Sequence, residues 1–495
     1  MKPGRAHGAR RRWVLALAGL LAPGVGTPVA GPAPGQGGAP AGDTAQALER
    51  PNFLVIVYDD LDLLSSAFLP ATLRLVRDEG MEFTRAFVST SLCCPSRTTL
   101  LRGQYAHTTR LWTNEPPDGG YAGLGRLGLE RSTLATWLHD AGDHTALLGK
   151  YVNHYGEHGQ VAIPPGWDEW YATVGLDRRG DRQPYFGYFM NSNGTIRRYG
   201  WAPGDYHSDV LIHRAADLIA RMAREDRPFL IYLAPYAPHT PATPAPRHRQ
   251  LFSDAIAPRL PNFGRPPRPV GGQASTVPFA RGQVRRLDGL YRDRLRSLQA
   301  VEEGIASLVD GLSQAGVLDR TDIIVTSDNG YSLGQHARAL RKGGPYDEDM
   351  QVPLFIRGPG IAAASRFDGL VLNDDLAPTL AELAGVLVPE SLDGRSLAPV
   401  LHGGALARWR HAILFEHQGI PRDPTNSFRA LRMIDSVYIE YSGGRRELFD
   451  LRADPYQLWN LVPESDAGVL RALSERLNRL ARCAATECRA LEDSS

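Results

Sequence analysis

Lysine is almost missing from this chain. Of 55 basic residues only three are lysines, Lys2, Lys150 and Lys342; arginine supplies the rest, as a GC-rich genome would produce. Cysteine is scarce too: four in 495 residues, too few for a disulfide scaffold. Neither sign of charge dominates, since 55 basic residues face 54 acidic ones and the net charge is +1. That balance excludes a polybasic nucleic-acid binder and an acidic disordered tail. The apolar run near the N-terminus, Trp13 to Leu21, is too short to cross a bilayer as a stable anchor. The sequence shows no internal repeat.

What is present begins with that N-terminus. A basic start (Arg10, Arg11, Arg12), the apolar run and small residues toward Ala30 have the layout of a secretory signal, by a general or a twin-arginine route. From Gly31 to Gln46 the chain is mostly Gly, Pro, Ala and Gln, the composition of a flexible tether. The expected organisation is a signal peptide over 1–30, a linker over 31–48, a catalytic domain over 49–400 and a small subdomain over 401–495. The expected location is outside the cytoplasm, secreted or periplasmic. Export would permit Cys483 and Cys488 to close a small disulfide loop.

Near-continuous apolar runs at Asn52–Tyr58, His144–Gly149, Phe229–Leu233, Asp322–Thr326 and Gln351–Ile356 read as strands buried on both faces of a sheet. Met81–Val88 reads as a further strand. Helical signals mark Pro70–Glu79, Ser132–Ala141, Val210–Arg224, Leu287–Gln314 and Asp374–Gly385. The alternation predicts an α/β fold, a large mixed sheet flanked by helices, with ligands at the carboxyl ends of the strands. After Leu401 short strands take over (Ala412–Glu416, Val437–Tyr441, Arg446–Leu451), then a helix from Ala467 to Ala481. These predict a smaller antiparallel α+β unit.

The residues able to carry chemistry fall at strand ends. Asp59 and Asp60 follow the first strand; paired acids there are costly without a compensating cation, although a solvated turn would also place them. Asp328 and Asn329 repeat the arrangement in Ser327-Asp328-Asn329-Gly330, which alone is simply a good turn. His239 follows Phe229–Leu233, and a lone histidine there is usually structural. Lys150 follows His144–Gly149. The stretch Ser91 to Gly103 reads as a loop feeding a helix, with Pro95 in the first turn, so Cys93 and Cys94 sit where the helix dipole favours an anion. Two adjacent cysteines are by themselves more often small buried residues or a disulfide partner. Trp167 and Trp170 suit a sugar-binding rim or ordinary packing, and Asn191-Ser192-Asn193-Gly194 suits a hairpin turn. Arg178, Arg179 and Arg182 suit a polyanion or a solvated loop.

The order Cys93-Cys94-Pro95-Ser96-Arg97, then Leu101 and Gly103, resembles the signature of the sulfatases. Gly149-Lys150-Tyr151-Val152-Asn153 and Lys342-Gly343-Gly344-Pro345-Tyr346 resemble the lysine motifs of the same family. With Ile163 to Trp170, they resemble the branch of N-acetylglucosamine-6-sulfatases and arylsulfatases. The resemblance covers nearly the whole mature chain and implies an alkaline-phosphatase-like fold. It implies that a formylglycine-generating enzyme oxidises Cys93 to formylglycine, whose hydrate is the nucleophile, and that Arg97 holds that residue. It implies a divalent ion, Ca2+ with Mg2+ as the other option, on Asp59, Asp60, Cys93, Asp328 and Asn329. Lys150, Lys342 and His239 would contact the sulfate, with His239 as general acid, and His336 is a weaker candidate for the substrate rim. Many members carry a histidine two residues after the first lysine; here that position is Val152, with Asn153 and His154 as candidates for the missing polar contact. The implied reaction is hydrolysis of sulfate esters, of sulfated carbohydrates in particular. The alternatives are a phosphonate or phosphate ester hydrolase of the same fold and an inactive exported glycan-binding relative.

Overall fold

The computed structural model describes residues 50–175, 184–269, 279–404, 408–419 and 427–494. The expected signal peptide and linker, and Arg178, Arg179 and Arg182, lie outside the described residues.

Ten strands form one sheet. In chain order they are β1 (Asn52–Tyr58), β2 (Met81–Phe83), β3 (His144–Gly149), β4 (Glu169–Val174), β5 (Phe189–Ser192), β6 (Thr195–Arg198), β7 (Phe229–Ala234), β8 (Thr321–Ser327), β9 (Leu354–Arg357) and β10 (Ser365–Phe367). They lie side by side as β10-β2-β9-β8-β1-β7-β3-β4-β5-β6. The central five, β8-β1-β7-β3-β4, are all parallel, so their carboxyl ends share one edge. Antiparallel pairs flank them on both sides.

Side chains alternate across a strand, so a strand with both faces covered is apolar throughout. In β1, Phe53, Val55 and Val57 enter the core on one face and Leu54, Ile56 and Tyr58 the core on the other. The first face is covered by helices α1 (Cys93–Arg102), α2 (Leu134–Asp140) and α5 (Leu376–Leu383). The second is covered by α3 (His207–Met222) and α4 (Arg281–Gln314). Gly149 ends β3 at φ +99°, and a Cβ there would stand 2.1 Å from the Ala234 carbonyl oxygen, so only glycine lets the chain turn out toward Lys150.

A second sheet of four antiparallel strands follows, β11 (Ala412–His417), β12 (Phe428–Met433), β13 (Ser436–Tyr441) and β14 (Arg446–Asp450). It packs against α6 (Ala467–Leu480) and α7 (Thr486–Asp493) and shares its core with Phe87, Tyr105, Tyr346 and Leu372. Cys483 and Cys488 are joined in a disulfide.

Several expected elements are shorter or split. Met81–Val88 is two strands, Met81–Phe83 and Ala86–Phe87, the second pairing in parallel with Val371–Leu372. The strand expected from Gln351 starts at Leu354, just past Pro353, which has no N–H for a ladder. The helix expected over Pro70–Glu79 widens from Leu73 to Arg77, just after the turn whose Ala71 and Thr72 amides donate to Glu302. Strand β12 and helix α7 were not anticipated.

Candidate active site

The parallel register places the acids. Residues 52–58 of β1 run beside 321–327 of β8 one for one, so Asp59 and Asp328 leave the sheet as neighbours. The Asp60 amide donates to Asp328 Oδ1 at 3.0 Å, and Asn329 Nδ2 donates to Asp60 Oδ1 at 2.6 Å. All four residues are buried. Cys93, the first residue of α1, brings its Sγ to 3.5 Å from Asp59 Oδ1. Lys342 Nζ lies 2.6 Å from that sulfur and also pairs with Asp60 Oδ1. Lys150 Nζ donates to Asp59 Oδ2 at 2.6 Å. His239 Nε2 stands 3.7 Å from Asp60 Oδ2. Its Nδ1 lies 2.7 Å from the Thr240 carbonyl oxygen, which can only accept, so Nδ1 carries a proton.

Arg97 sits one helical turn after Cys93 and is fully buried. Its Nε donates to Asp328 Oδ2 at 2.9 Å and its Nη1 to the Lys150 carbonyl at 3.1 Å. The hydrogen bonds of Arg97 run to Asp328 and to the Lys150 backbone, not to the Cys93 thiol. One turn down the helix it reaches past the thiol to the ends of β8 and β3, and it orders the site through Asp328 and the Lys150 backbone.

The charges are interlocked. Burial raises the Asp59 carboxyl, but Lys150, His239, Arg97 and Lys342 together hold it well below the usual carboxylate range. Burial likewise opposes ionisation of Asp60, and Lys342 is the first of the cations that bring it down. Burial moves Asp328 up while Arg97 pulls it back. Burial also pushes the Cys93 thiol up to about 12. Lys150 and Lys342 are raised despite burial, chiefly by Asp59 and Asp60 respectively.

The donor set fits a hard divalent cation. Ligand atoms of Asp59, Asp60, Cys93 and His239 lie within 4.8 Å of one another. Asn329 Oδ1 is buried beside them without a hydrogen-bond partner among the described residues, an acceptor left for a cation. Carboxylate and amide oxygens are the ligands calcium and magnesium take.

Other sequence candidates fall elsewhere. His336 is buried; its Nδ1 pairs with Glu348 Oε1 at 2.5 Å and its Nε2 lies 3.0 Å from the Tyr456 carbonyl, with the ring stacked on Tyr346. Both nitrogens are used, and His336 is not on a substrate rim. Trp167 and Trp170 are buried too, with Trp170 Nε1 donating to the Tyr155 hydroxyl, so they pack rather than line an opening. Val152 belongs to the core. His154, near it, is taken up by Glu115 and Glu157. Asn153 keeps a buried Oδ1 without a hydrogen-bond partner among the described residues. Sequence reasoning passed over Asn114, whose Oδ1 accepts from the Cys94 amide, and Ser91, whose Oγ accepts from the Gly343 amide. It also passed over Arg294. That residue interrupts the buried stripe Leu287, Tyr291, Leu295 and Leu298 of α4, and an arginine on such a stripe is the signal that would have found it.

A model of the Sulfatase family matches residues 51–386. The chain belongs to the sulfatase family. A second model, N-sulphoglucosamine sulphohydrolase, C-terminal, matches residues 338–483 of this sulfatase. The sulfatase is 36% identical over 75% of its length to an extracellular sulfatase Sulf-1 homologue of Caenorhabditis elegans, and spans about half, 53%, of that longer relative. It is 32% identical to the N-acetylglucosamine-6-sulfatase of Homo sapiens, over 90% of this chain and 87% of that one. Among solved structures, a protein in complex with its substrate D-glucosamine-2-N,6-O-disulfate aligns with TM-score 0.71 and 24% identity, covering 87% of this chain and 97% of that one. The phosphonate monoester hydrolase of Agrobacterium radiobacter aligns with TM-score 0.67 and 22% identity, covering 87% and 95%. The sulfatase therefore has the alkaline-phosphatase-like fold of its structural neighbours.

Proposed function

We propose that this sulfatase hydrolyses sulfate esters of carbohydrates, with Cys93 matured to formylglycine and a divalent ion, Ca2+ in first place and Mg2+ in second, held by Asp59, Asp60, Asp328 and Asn329. The observation that carries the reading is the convergence on Cys93 Sγ of Lys342 Nζ at 2.6 Å and Asp59 Oδ1 at 3.5 Å, with Lys150 on the same aspartate. Nucleophile position, cations and metal-type acids thus share one buried point.

The residues divide the work. Asp59, Asp60 and Asp328 bring three negative charges and Arg97, Lys150 and Lys342 three positive ones, so these six groups balance before anything binds, and His239 as the protonated acid adds one positive charge. A bound dication makes it net positive, matched to a singly charged sulfate ester, and supplies Lewis-acid polarisation. A formylglycine at position 93, once hydrated, would supply an attacking hydroxyl, and a second hydroxyl whose deprotonation would release sulfate without water attacking sulfur. Lys150 and Lys342 hold the sulfuryl oxygens as charge moves off sulfur toward the bridging oxygen. His239, its Nδ1 proton fixed on Thr240, presents Nε2 to protonate the departing sugar oxygen. Arg97 keeps Asp328 and the Lys150 backbone in place throughout.

A cleft of about 310 Å3 suits the leaving group. It is lined by Trp112, His417, Arg429, Glu440, Tyr441 and Asn478. His417 ties it to the site, since its ring lies 3.3 Å from where a Cβ on Gly343, the neighbour of Lys342, would stand. Aromatic faces with an arginine and a glutamate suit a hexosamine ring. The relatives named extracellular support export, and among the described residues no helix is long and apolar enough to cross a membrane.

The test is the mass of the Cys93 peptide from a host that matures sulfatases, followed by parallel assays on glucosamine 6-sulfate, aryl sulfates and phosphonate monoesters. An aldehyde in place of the thiol with turnover of the sulfated sugar is expected. An unmodified thiol in a competent host sinks the nucleophile assignment. Preferential turnover of phosphonates would move the protein to the other reaction its fold supports.

A further inference from the structure

Arg294 lies in the middle of α4 with no exposed surface. A buried guanidinium is tolerated only where acceptors meet it. All of its acceptors belong to loops that carry the site. Nη2 donates to the Asp60 main-chain oxygen and to Asp62 Oδ2 at 2.9 Å, and Nη1 to the Pro238 carbonyl at 3.3 Å. The guanidinium carbon stands 4.5 Å from the centroid of the Tyr331 ring. One side chain therefore touches the loops after β1, β7 and β8.

Asp60 is the residue in this set with most need of a brace. Its φ is +67°, the left-handed region that a residue with a Cβ seldom adopts without support. The bond from Arg294 holds the Asp60 carbonyl, and so fixes the direction in which the carboxylate meets Asn329 and Lys342. Pro238, the acceptor on the other arm, directly precedes His239. We propose that Arg294 is a positioning residue that keeps the Asp60 carboxylate and the His239 imidazole in one fixed relation, the first as metal ligand and the second as acid. This rests on the reading of Asp60 and His239 given above. A planar fork with several fixed donor directions serves three acceptors at once; the point charge of a lysine cannot.

The experiment uses the full chain with Cys93 left as thiol, stripped of metal and titrated with Ca2+ by calorimetry, so that it needs no turnover. Arg294→Lys and Arg294→Gln are expected to bind Ca2+ about 10- to 100-fold more weakly, the usual cost of losing a residue that orients a ligand. In matured enzyme the same variants should lose about tenfold or more in the ratio of sugar-sulfate to nitrophenyl-sulfate turnover, because only the sugar alkoxide needs a well-placed acid. His239→Ala serves as the reference for that ratio. Wild-type Ca2+ affinity together with an unchanged ratio, in a variant with a lowered urea midpoint, would reduce Arg294 to a structural part and overturn the proposal. If neither Arg294 variant folds, Asp62→Asn decides. It leaves the guanidinium in place without its charged acceptor, and is expected to weaken Ca2+ binding by about threefold or more; wild-type affinity there overturns the proposal. A wild-type protein that binds neither Ca2+ nor Mg2+ is a different failure, which removes the metal reading and this inference with it.

Discussion

Replacing Lys150 with methionine removes the ammonium that stands 2.6 Å from Asp59 and leaves the carboxylate buried. Breaking a buried ion pair from one side costs about 3–5 kcal/mol, since the remaining charge keeps its desolvation penalty and loses its partner. Here the loss belongs at the lower end, about 3 kcal/mol, because His239, Arg97 and Lys342 also act on Asp59. The assay is urea unfolding of the thiol form in chelator, for Lys150→Met, Asp59→Asn and the double variant. The double variant should recover most of the loss, since a neutral amide and a thioether leave no stranded charge. Saturating Ca2+ should then stabilise Lys150→Met more than the wild type, the dication replacing the lost ammonium; binding at a hundred times Kd contributes about 2.7 kcal/mol. The pH dependence has a defined sign. Asp59 has a depressed folded value, so its contribution is present above the ordinary carboxylate range and lost on acidification; the lysine variant should show a shallower acid limb. Stability of Lys150→Met within about 1 kcal/mol of wild type in chelator would refute the claim that this pair sustains the site.

Three further outcomes are expected. Cys93→Ser in the sulfatase background should retain a covalent sulfate on the new hydroxyl, seen by intact mass; repeated turnover at the native rate would remove Cys93 from the nucleophile position. Asp322 is buried and raised by burial to about 7. Its folded value exceeds the unfolded one, so stability is full below about pH 4 and falls as pH rises through 7, by about 4 kcal/mol for a shift of about three pH units. Asp322→Asn should therefore be the more stable protein at pH 8 and lose that advantage near pH 4, as read by urea midpoints. Replacing both Cys483 and Cys488 with serine opens a loop whose ends are five residues apart, which should cost about 2 kcal/mol in the chain-entropy picture; no change in midpoint would mean the bridge constrains nothing.

Much of this site was legible because its residues break a strong pattern. Asp59 and Asp60 end a run of seven buried residues, and Asp328 ends another in the paired strand, so register alone brought them together. What stayed hidden depended on contacts far along the chain. His336 looked available, yet its partners include the carbonyl of Tyr456, 120 residues on. Arg97 was assigned to its sequence neighbour, while its bonds run to Asp328 and Lys150. Strand β12 escaped notice because Arg429 and Arg432 interrupt its apolar residues; one is exposed, and the other is buried against Asp347. Arg294 sat inside a helix read only for its amphipathic period.

The scarcity of lysine gives the folded protein a built-in reporter. Lys150 and Lys342 are the ε-amines beyond the N-terminal Lys2, and both lie within the buried cluster around Cys93, paired with Asp59 and Asp60. An acylating reagent therefore has two internal amines to find, each shielded by its carboxylate. Counting added acyl groups by mass reads how accessible these two buried amines are in unmodified protein, with no engineered label and little background from the remaining surface.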